Sequence, residues 1–390
     1  MAEECVVFHN IPDKRLYEMD IRYNRSRGTL VIASIADIHM GVIDPKTQYE
    51  ILKEQFLNKI APLPKLDIIA IPGDLFDHKV MANSSTAMYA GLLVSDIVNL
   101  AKAKGTTVLL ISGTKSHDDN SLRLYYPYLN DPAVDFRLVE TIRFEYIKGA
   151  KILCIPELYG VDEEVYQYYL HSSWYDMCFM HGTFKGAVYG DNAGEGRLFT
   201  IEDFSHCLGY IIAGHVHIPG CFNKYFYYCG SPLRWRHGEE QDKGFLLSCI
   251  NLDTMQHYVD FEKIESFKYV TIKLDSIISE DPKKVIEYIT KIKEEQGIDY
   301  IKVVFNVPMQ NSNRVILSNY YRSHDDVSLE FMSTQEEQLR KAEEETQMDR
   351  FNFILDHNLS DEQIFVMYVN ENEGYEFITV DGLRDILSSD

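Results

Sequence analysis

The sequence predicts a layered α/β fold, followed by a smaller α+β capping domain and a helical C-terminal tail. Two observations lead to this prediction. Short apolar runs recur through residues 29–258, and they are bounded by the small and polar clusters that typically flank buried strands. Amphipathic helical patterns over Thr47–Ile60 and Thr86–Lys104 separate the first three runs. This alternation of strand and helix favours a largely parallel sheet with helices packed against it.

Short apolar runs in residues 29–258 are predicted to be strands because they are brief and, early in the chain, rich in Val and Ile. The later runs follow one another with shorter connections, which indicates antiparallel additions to the core. In chain order the predicted strands are Leu30–Ile35, Leu66–Ile71, Thr107–Ile111, Lys151–Ile155, Tyr175–Met180, Gly209–Ala213, Tyr225–Cys229 and Gly244–Ile250.

The pattern changes near residue 260, where a capping domain is predicted over residues 259–310. Phe267–Leu274 alternates in the manner of a strand, Asp281–Gln296 has a charged helical pattern, and Tyr300–Val307 predicts a second strand. This order of elements indicates a small α+β unit.

Three further segments complete the predicted organisation. Residues 1–28 are expected to be an N-terminal extension, and the polar residues 311–333 are expected to be a linker because they show little periodicity. Residues 334–390 are predicted to form a helical tail, in which Ser360–Gln363 match a helix-opening capping box. The tail could bind another protein.

The composition and net charge of the chain disfavour some classes of protein function. The chain has 390 residues and a formal charge of -22, so a passive DNA-binding module is disfavoured. Bound divalent metals can reverse the local field, so an enzyme acting on nucleic acid is not excluded. No apolar run reaches the ~18 residues of a membrane span, and the seven cysteines contain no CxxC pair. These features predict a soluble, cytoplasmic protein, of a bacterium or of a host cell if phage-encoded.

Asp or His follows five of the predicted strands, and Gly often stands beside it. In open α/β sheets, sites form at the carboxyl ends of strands, so these residues are expected to meet. The five segments are Asp37-Ile-His39, Gly73-Asp74-Leu-Phe-Asp77, Gly113-Thr-Lys-Ser-His117-Asp118, His181-Gly182 and Gly214-His215-Val-His217.

The spacing of these residues predicts a centre for two metal ions. Asp-x-His and His-x-His in extended chain place both side chains on one side. Carboxylate and imidazole ligands suit Mn, Zn and Fe better than Ca. Asp74 lies between the two groups of ligands and could bridge two ions, which together would stabilise a phosphoryl displacement.

The order of these motifs resembles the calcineurin-like metallophosphoesterase superfamily, and more narrowly the SbcD and Mre-type nucleases of double-strand-break repair. The segment Asp74-Leu-Phe-Asp77 and the segment Tyr228-Cys-Gly-Ser-Pro-Leu233 both match the nuclease branch. The resemblance implies a DNA exonuclease, with endonuclease activity as a second candidate, that hydrolyses phosphodiester bonds with a metal-activated water. It further implies two divalent ions, with Mn expected and Mg, Fe or Zn as alternatives. The implied partners are DNA, an SMC-type ATPase and a second copy of the chain.

Residue roles follow from the resemblance, position by position. His117 would face the scissile phosphate as an acid or a transition-state stabiliser, and Asp77 would orient its imidazole. Asp74 would be shared between the two ions. The ligands of one ion would be Asp37, His39, Asp74 and His217, and those of the other would be Asp74, His181 and His215.

One motif departs from the family pattern. The family usually reads Gly-Asn-His, and the Asn binds the second metal, whereas here the segment is two residues longer and Ser116 precedes His117. Ser116 would be a weaker neutral ligand, or His117 itself would turn towards the metal. These two alternatives stay open at the level of sequence.

Arg234-Trp235-Arg236 follows the Gly-Ser-Pro segment and is a candidate DNA contact. The two arginines could bind phosphate while the indole stacks on a base. A packed tryptophan flanked by surface arginines is an equally good reading. Two other functions also remain open: a phosphoesterase for nucleotides or other phosphoesters, and a non-catalytic scaffold for the ATPase.

Overall fold

The chain divides into two units in the structure, which is a computed structural model. One comprises Met1–Thr271 with Ile292–Ile301, and the other comprises Ile272–Lys291 with Lys302–Asp390. The structure describes residues 28–185, 196–222, 224–239, 241–274, 281–307 and 309–332. The predicted tail at 334–390 and all of the predicted N-terminal extension except Gly28 lie outside these described residues.

The described strands are short, and in most of them the majority of residues are buried. They are β1 (Thr29–Ser34), β2 (Ile68–Pro72), β3 (Thr107–Ile111), β4 (Asp135–Val139), β5 (Arg143–Ile147), β6 (Ala150–Ile155), β7 (Met177–His181), β8 (Thr183–Phe184), β9 (Leu198–Phe199), β10 (Ile211–Gly214), β11 (Gly220–Cys221), β12 (Phe226–Tyr228), β13 (Lys243–Asn251), β14 (His257–Ile264), β15 (Tyr269–Leu274), β16 (Tyr300–Phe305) and β17 (Val327–Phe331).

The described helices vary widely in length. They are α1 (Pro45–Leu52), α2 (Asn58–Ile60), α3 (Ser85–Lys104), α4 (Lys115–Asp118), α5 (Tyr126–Leu129), α6 (Glu163–His171), α7 (Pro282–Gln296) and α8 (Asn311–Tyr321), with a π segment at Lys53–Leu57 and 3₁₀ turns at Ser121–Tyr125 and Glu202–Phe204. The longest, α3, begins where the Ser84 side chain accepts a hydrogen bond from the Ala87 N–H, and it ends at Gly105 in the left-handed region. Within the described ranges, no helix is both long and apolar enough to cross a membrane.

Two six-stranded sheets form the first unit. One has the order β14-β13-β1-β2-β3-β4, with β1 to β4 parallel and β13 and β14 antiparallel. The other has the order β11-β12-β10-β7-β6-β5, in which β12, β10, β7 and β6 are parallel. Smaller sheets pair β8 with β9 and place β15, β16 and β17 in that order.

Three apolar clusters show the layering of the first unit. The central cluster joins the inner faces of the two sheets and includes Ile32 of β1 and Phe179 of β7. A second cluster packs α1 and α3 on the outer face of the first sheet, and a third packs α6 on the outer face of the second. The order of layers is therefore helix, sheet, sheet, helix. Burial of these apolar faces is the main force that holds the layers together.

The predicted α/β class is confirmed, and each predicted strand overlaps an observed one. The expectation of antiparallel late strands is correct for β13 and wrong for β7, β10 and β12, which are parallel neighbours. The predicted linker at 311–333 is also wrong for its described part, because α8 and β17 lie within it. The alternation of Val327–Phe331 was too brief to distinguish an edge strand from a polar loop.

Candidate metal centre

The candidate ligands lie where strands of both sheets end. Asp37 and His39 follow β1, Asp74 follows β2, and His181 is the last residue of β7. Backbone hydrogen bonds join the first two loops, since the Asp37 N–H donates to the Gly73 carbonyl at 3.1 Å and the His39 N–H donates to the Asp74 carbonyl at 3.0 Å. The predicted meeting of these strand ends is observed.

A first cluster consists of Asp37, His39 and His217, whose candidate ligand atoms all lie within 4.8 Å of one another. The Nε2 atoms of His39 and His217 are only 3.1 Å apart. A neutral imidazole carries a single N–H, so at most one of these nitrogens donates to the other when both rings are neutral. Their convergence with a carboxylate fits a shared cation.

A second cluster consists of Asp74, His181 and His215, again within 4.8 Å. Asp74 Oδ2 is 3.2 Å from His181 Nε2 and 3.6 Å from His39 Nε2, so this carboxylate faces both clusters. His181 Nδ1 lies 2.9 Å from the Pro72 carbonyl, and in the neutral ring donation of the Nδ1 N–H to that carbonyl leaves Nε2 with a lone pair. Metal-binding histidines commonly donate one ring N–H to a carbonyl or carboxylate and bind the metal through the other ring nitrogen.

Four candidate ligands adopt backbone conformations that L residues avoid. The φ angles are 49° at Asp37, 45° at His39, 50° at Asp74 and 92° at His215. Such conformations cost free energy and persist where the surrounding structure enforces them, often at functional sites. Gly73 shows how tight the packing is, because a Cβ there would lie 2.0 Å from His181 Nδ1.

Electrostatics also fit a cation at these clusters. Burial raises the pKa of Asp37, whose Oδ2 is buried without a hydrogen-bond partner. Burial would raise the pKa of Asp74 as well, but the charges of His181 and His39 hold it well below its ordinary value. Burial lowers the pKa of His217 to about 2, and the charge of His39 acts in the same direction. An orphaned carboxylate oxygen beside an uncharged imidazole is a donor set suited to a divalent metal.

His117 lies at the edge of the first cluster. Its ring is 4.7 Å from that of His39, and it forms a third group of candidate ligands with His39 and Asp74. Its Nδ1 contacts the backbone carbonyl of Asp77, which directs Nε2 elsewhere. The Asp77 carboxylate instead lies 3.6 Å from His39 Nδ1, so the contact from Asp77 to His117 runs through the backbone and not through the predicted carboxylate.

Thr114, and not Ser116, reaches the centre from the altered motif. Ser116 is exposed in α4, whereas the Thr114 N–H donates to Asp74 Oδ1 at 2.6 Å and its hydroxyl lies 3.4 Å from His181 Nε2. The buried Asp118 fastens this loop by accepting from the Gly113 N–H at 2.9 Å and from the Phe76 N–H at 3.2 Å. Thr114, the first residue after Gly113, therefore occupies the position expected for the neutral ligand.

Glu157 is a site residue that the sequence reasoning missed. It follows β6, and its Oε2 lies 3.3 Å from His215 Nδ1 and 3.5 Å from His181 Nε2. Burial would raise the pKa of Glu157, but the hydrogen bond to His215 and the charge of His181 lower it to about 2. The sequence feature that could have identified Glu157 is its position two residues after the predicted strand Lys151–Ile155. It does not belong to a closely spaced pair such as Asp-x-His, so the motif search did not select it.

The three residues of the candidate DNA contact separate in the structure. The Trp235 ring lies 5.2 Å from that of His39 and 5.1 Å from that of His217. Arg234 donates to the Gln241 carbonyl at 3.0 Å, and it pairs with Asp242. Arg236 is exposed, with its Nε 3.4 Å from Glu239. Trp235 is therefore at the centre, and Arg236 is the more accessible arginine.

A buried lysine supports the loop that carries His217. Lys243 Nζ donates to the His217 carbonyl at 2.9 Å and to Ser231 Oγ at 2.8 Å. Ser231 in turn donates its N–H to the same carbonyl at 3.2 Å. The Gly-Ser-Pro segment and Lys243 together fix the end of the His-x-His pair.

Comparisons with known proteins leave the family open. No family model matches the chain, and no curated protein matches it. Among solved structures, one crystal structure is 9% identical to this chain and covers 60% of it and 100% of its own chain, with a TM-score of 0.37. Similarity at this level carries no argument about fold or function.

Proposed function

We propose that this chain is a two-metal phosphodiesterase of the calcineurin-like type that cleaves DNA. The observation that supports it is the overlap of three groups of candidate ligands through His39 and Asp74. A carboxylate between two sets of imidazoles is what a bridged pair of cations requires, and two such ions stabilise both the attacking and the leaving oxygen of a phosphoryl transfer. The mixed carboxylate and imidazole donors suit Mn, Fe or Zn, and the resemblance to the Mre-type nucleases favours manganese among them.

Each group of side chains has a role in this proposal. Asp37, His39 and His217 hold one ion, and His181 with His215 hold the other, with Asp74 between them. The ions supply Lewis-acid activation of water and of the scissile phosphate. His117, oriented by its Nδ1 contact with the Asp77 carbonyl, presents Nε2 to the phosphate or to the leaving oxygen.

DNA is the favoured substrate because an aromatic side chain borders the centre. Trp235 offers an indole beside His39 and His217, and the exposed guanidinium of Arg236 follows it in the chain. Aromatic stacking on a base and a cationic contact with the backbone are the usual elements of single-strand binding. Exonuclease activity is proposed first, and endonuclease activity second.

The proposal includes a homodimer through the helices of the first unit. An apolar surface beside α3 exposes Met81 by 74% and Met88 by 53%, and Leu92 and Leu124 add to it. It borders a cavity of about 330 Å³ that Met88, Leu124 and Tyr128 help to line. A second copy of this chain would cover the surface, and Met88→Glu should then shift the mass in light scattering from dimer to monomer.

An SMC-type ATPase is the other proposed partner. The proposed contact is the acidic segment 334–390, which lies outside the described residues. Co-purification of the full chain with the SMC-type ATPase encoded in the same genome tests the partnership, and DNA cleavage stimulated by ATP tests its function.

The central experiment measures cleavage of linear DNA by the purified chain with Mn²⁺. We expect metal-dependent release of nucleotides, which a chelator abolishes and added Mn²⁺ restores. Hydrolysis of a chromogenic phosphodiester without cleavage of DNA would favour a small-molecule phosphoesterase. Loss of both activities, with the ATPase still bound, would favour a scaffold.

A further inference from the structure

We propose that Glu157 is a ligand of the ion at the second cluster, and that Thr114 positions its carboxylate. This inference rests on the proposed function, because it needs an ion at Asp74, His181 and His215. It assigns an anionic ligand where this chain has the hydroxyl residues Thr114 and Ser116 in place of the family's Asn. The second ion would then be held by a residue of β6, a strand that carries none of the motif residues.

The geometry of Glu157 directs one oxygen to the centre and holds the other. The Tyr159 hydroxyl donates to Oε1 at 2.7 Å, while Oε2 accepts from the Thr114 hydroxyl at 2.8 Å. The same Oε2 lies within 3.5 Å of a ring nitrogen of both His181 and His215. One carboxylate oxygen therefore faces two of the three members of the second cluster.

The sheet explains how Glu157 reaches this position. Strands β6 and β7 are parallel, with Ile155 beside Met180. His181 is the next residue on β7, and Glu157 lies two residues beyond Ile155, so the two side chains leave neighbouring strands at the same edge. The Glu157 N–H donates to the Ser112 carbonyl at 3.4 Å, which joins this turn to the loop after β3.

The two carboxylates beside the Thr114 hydroxyl also favour a cation at the second cluster. Its hydroxyl lies 3.1 Å from Asp74 Oδ2 and 2.8 Å from Glu157 Oε2, but a hydroxyl has one hydrogen and can donate to only one of them at a time. Both side chains are almost fully buried, with exposures of 3% for Asp74 and 6% for Glu157. Buried charges in proteins are paired or coordinate metal ions, and an ion at the second cluster would lie beside both carboxylates and the ring nitrogens of His181 and His215 that face them.

The rival role for Glu157 is to orient His215 without touching the ion. The substitution Glu157→Gln separates the two roles, because the amide keeps an acceptor oxygen for His215 and Thr114 but removes the negative charge. The nearby Glu164→Gln is the matched control, since Glu164 is an exposed residue of α6. Glu157→Asp tests whether a carboxylate at this position restores binding.

The experiment counts Mn²⁺ bound by the full chain and records the absorption spectrum with Co²⁺ in its place. We expect the parent chain and Glu164→Gln to bind two ions. We expect Glu157→Gln to keep the first ion at parental affinity and to bind the second more than about a hundredfold more weakly, beyond the ~10–100-fold that loss of an orienting residue alone costs. The Co²⁺ absorption of the second equivalent should change, and Glu157→Asp should recover part of the binding.

Each other outcome has a distinct meaning. Two ions bound with parental affinity and spectrum in Glu157→Gln would overturn the assignment and leave the proposed function intact. Equal weakening of both ions would also overturn it, because Glu157 would then shape the whole centre. If the parent chain binds no ion, the proposed function fails, and this inference fails with it.

Discussion

The two clusters of the candidate metal centre are built from different kinds of sequence signal. The first draws all its members from the closely spaced pairs Asp37-x-His39 and His215-x-His217, and Trp235 borders it. Around the second, Thr114 and Glu157 contribute from separate strand ends, and no spacing in the sequence links them. Short motifs detect residues that share one strand end, and they miss single residues that neighbouring strands bring together.

Replacing the side chain between the clusters should have the largest effect. Asp74→Asn removes a charge that faces both clusters, so we expect a loss of both ions and a fall in DNA cleavage of about a thousandfold or more, or about 4 kcal/mol of transition-state stabilisation. Metal counting and cleavage kinetics on the same sample check this. Near-parental cleavage with Mn²⁺ would remove the basis for a bridged pair.

His117→Ala should separate chemistry from metal binding. We expect cleavage to fall by about a hundredfold or more, the usual contribution of a general acid, while two ions stay bound. Loss of one ion along with activity would instead make His117 a ligand. Unchanged activity would reject both roles.

Lys243→Met should weaken the first cluster alone. The substitution removes one of the donors to the His217 carbonyl and leaves the Ser231 N–H, so we expect the first ion to bind about tenfold more weakly while the second is unaffected. Isothermal titration with Mn²⁺ measures both sites, and Lys263→Met provides a control at a lysine paired with Asp242 and Glu265. An equal change at both sites would contradict the independence of the two clusters.

Ser116→Asn should have the smallest effect. The motif suggests that an amide here would restore a ligand, but Ser116 is exposed in α4, so we expect unchanged metal affinity and cleavage. A tighter second ion in this variant would show that the loop rearranges when metal binds, and it would bring Ser116 back as a candidate ligand.

The sequence predicted the layered class and most of the candidate centre because both depend on local patterns. Buried parallel strands such as β3 are continuous apolar runs, and the residues after them were identified by spacing. The predictions failed where contacts with neighbouring strands, and not the local sequence, decide whether a segment is a strand or a residue belongs to the candidate site. Strands β4 and β5 are partly exposed and carry charged residues such as Arg137 and Glu145, so they lack the apolar run of the core strands. Glu157 became visible only through the pairing of β6 with β7.

The position of Trp235 makes metal binding at the candidate centre measurable by tryptophan fluorescence. The chain contains two tryptophans, and the other, Trp174, is 58% exposed. With Trp174→Phe, the emission would come from one indole about 5 Å from the rings of His39 and His217. A paramagnetic ion seated between those rings would quench that emission, whereas an ion confined to the second cluster would quench it less. The protein therefore carries its own optical reporter, which would show the order in which the two positions fill.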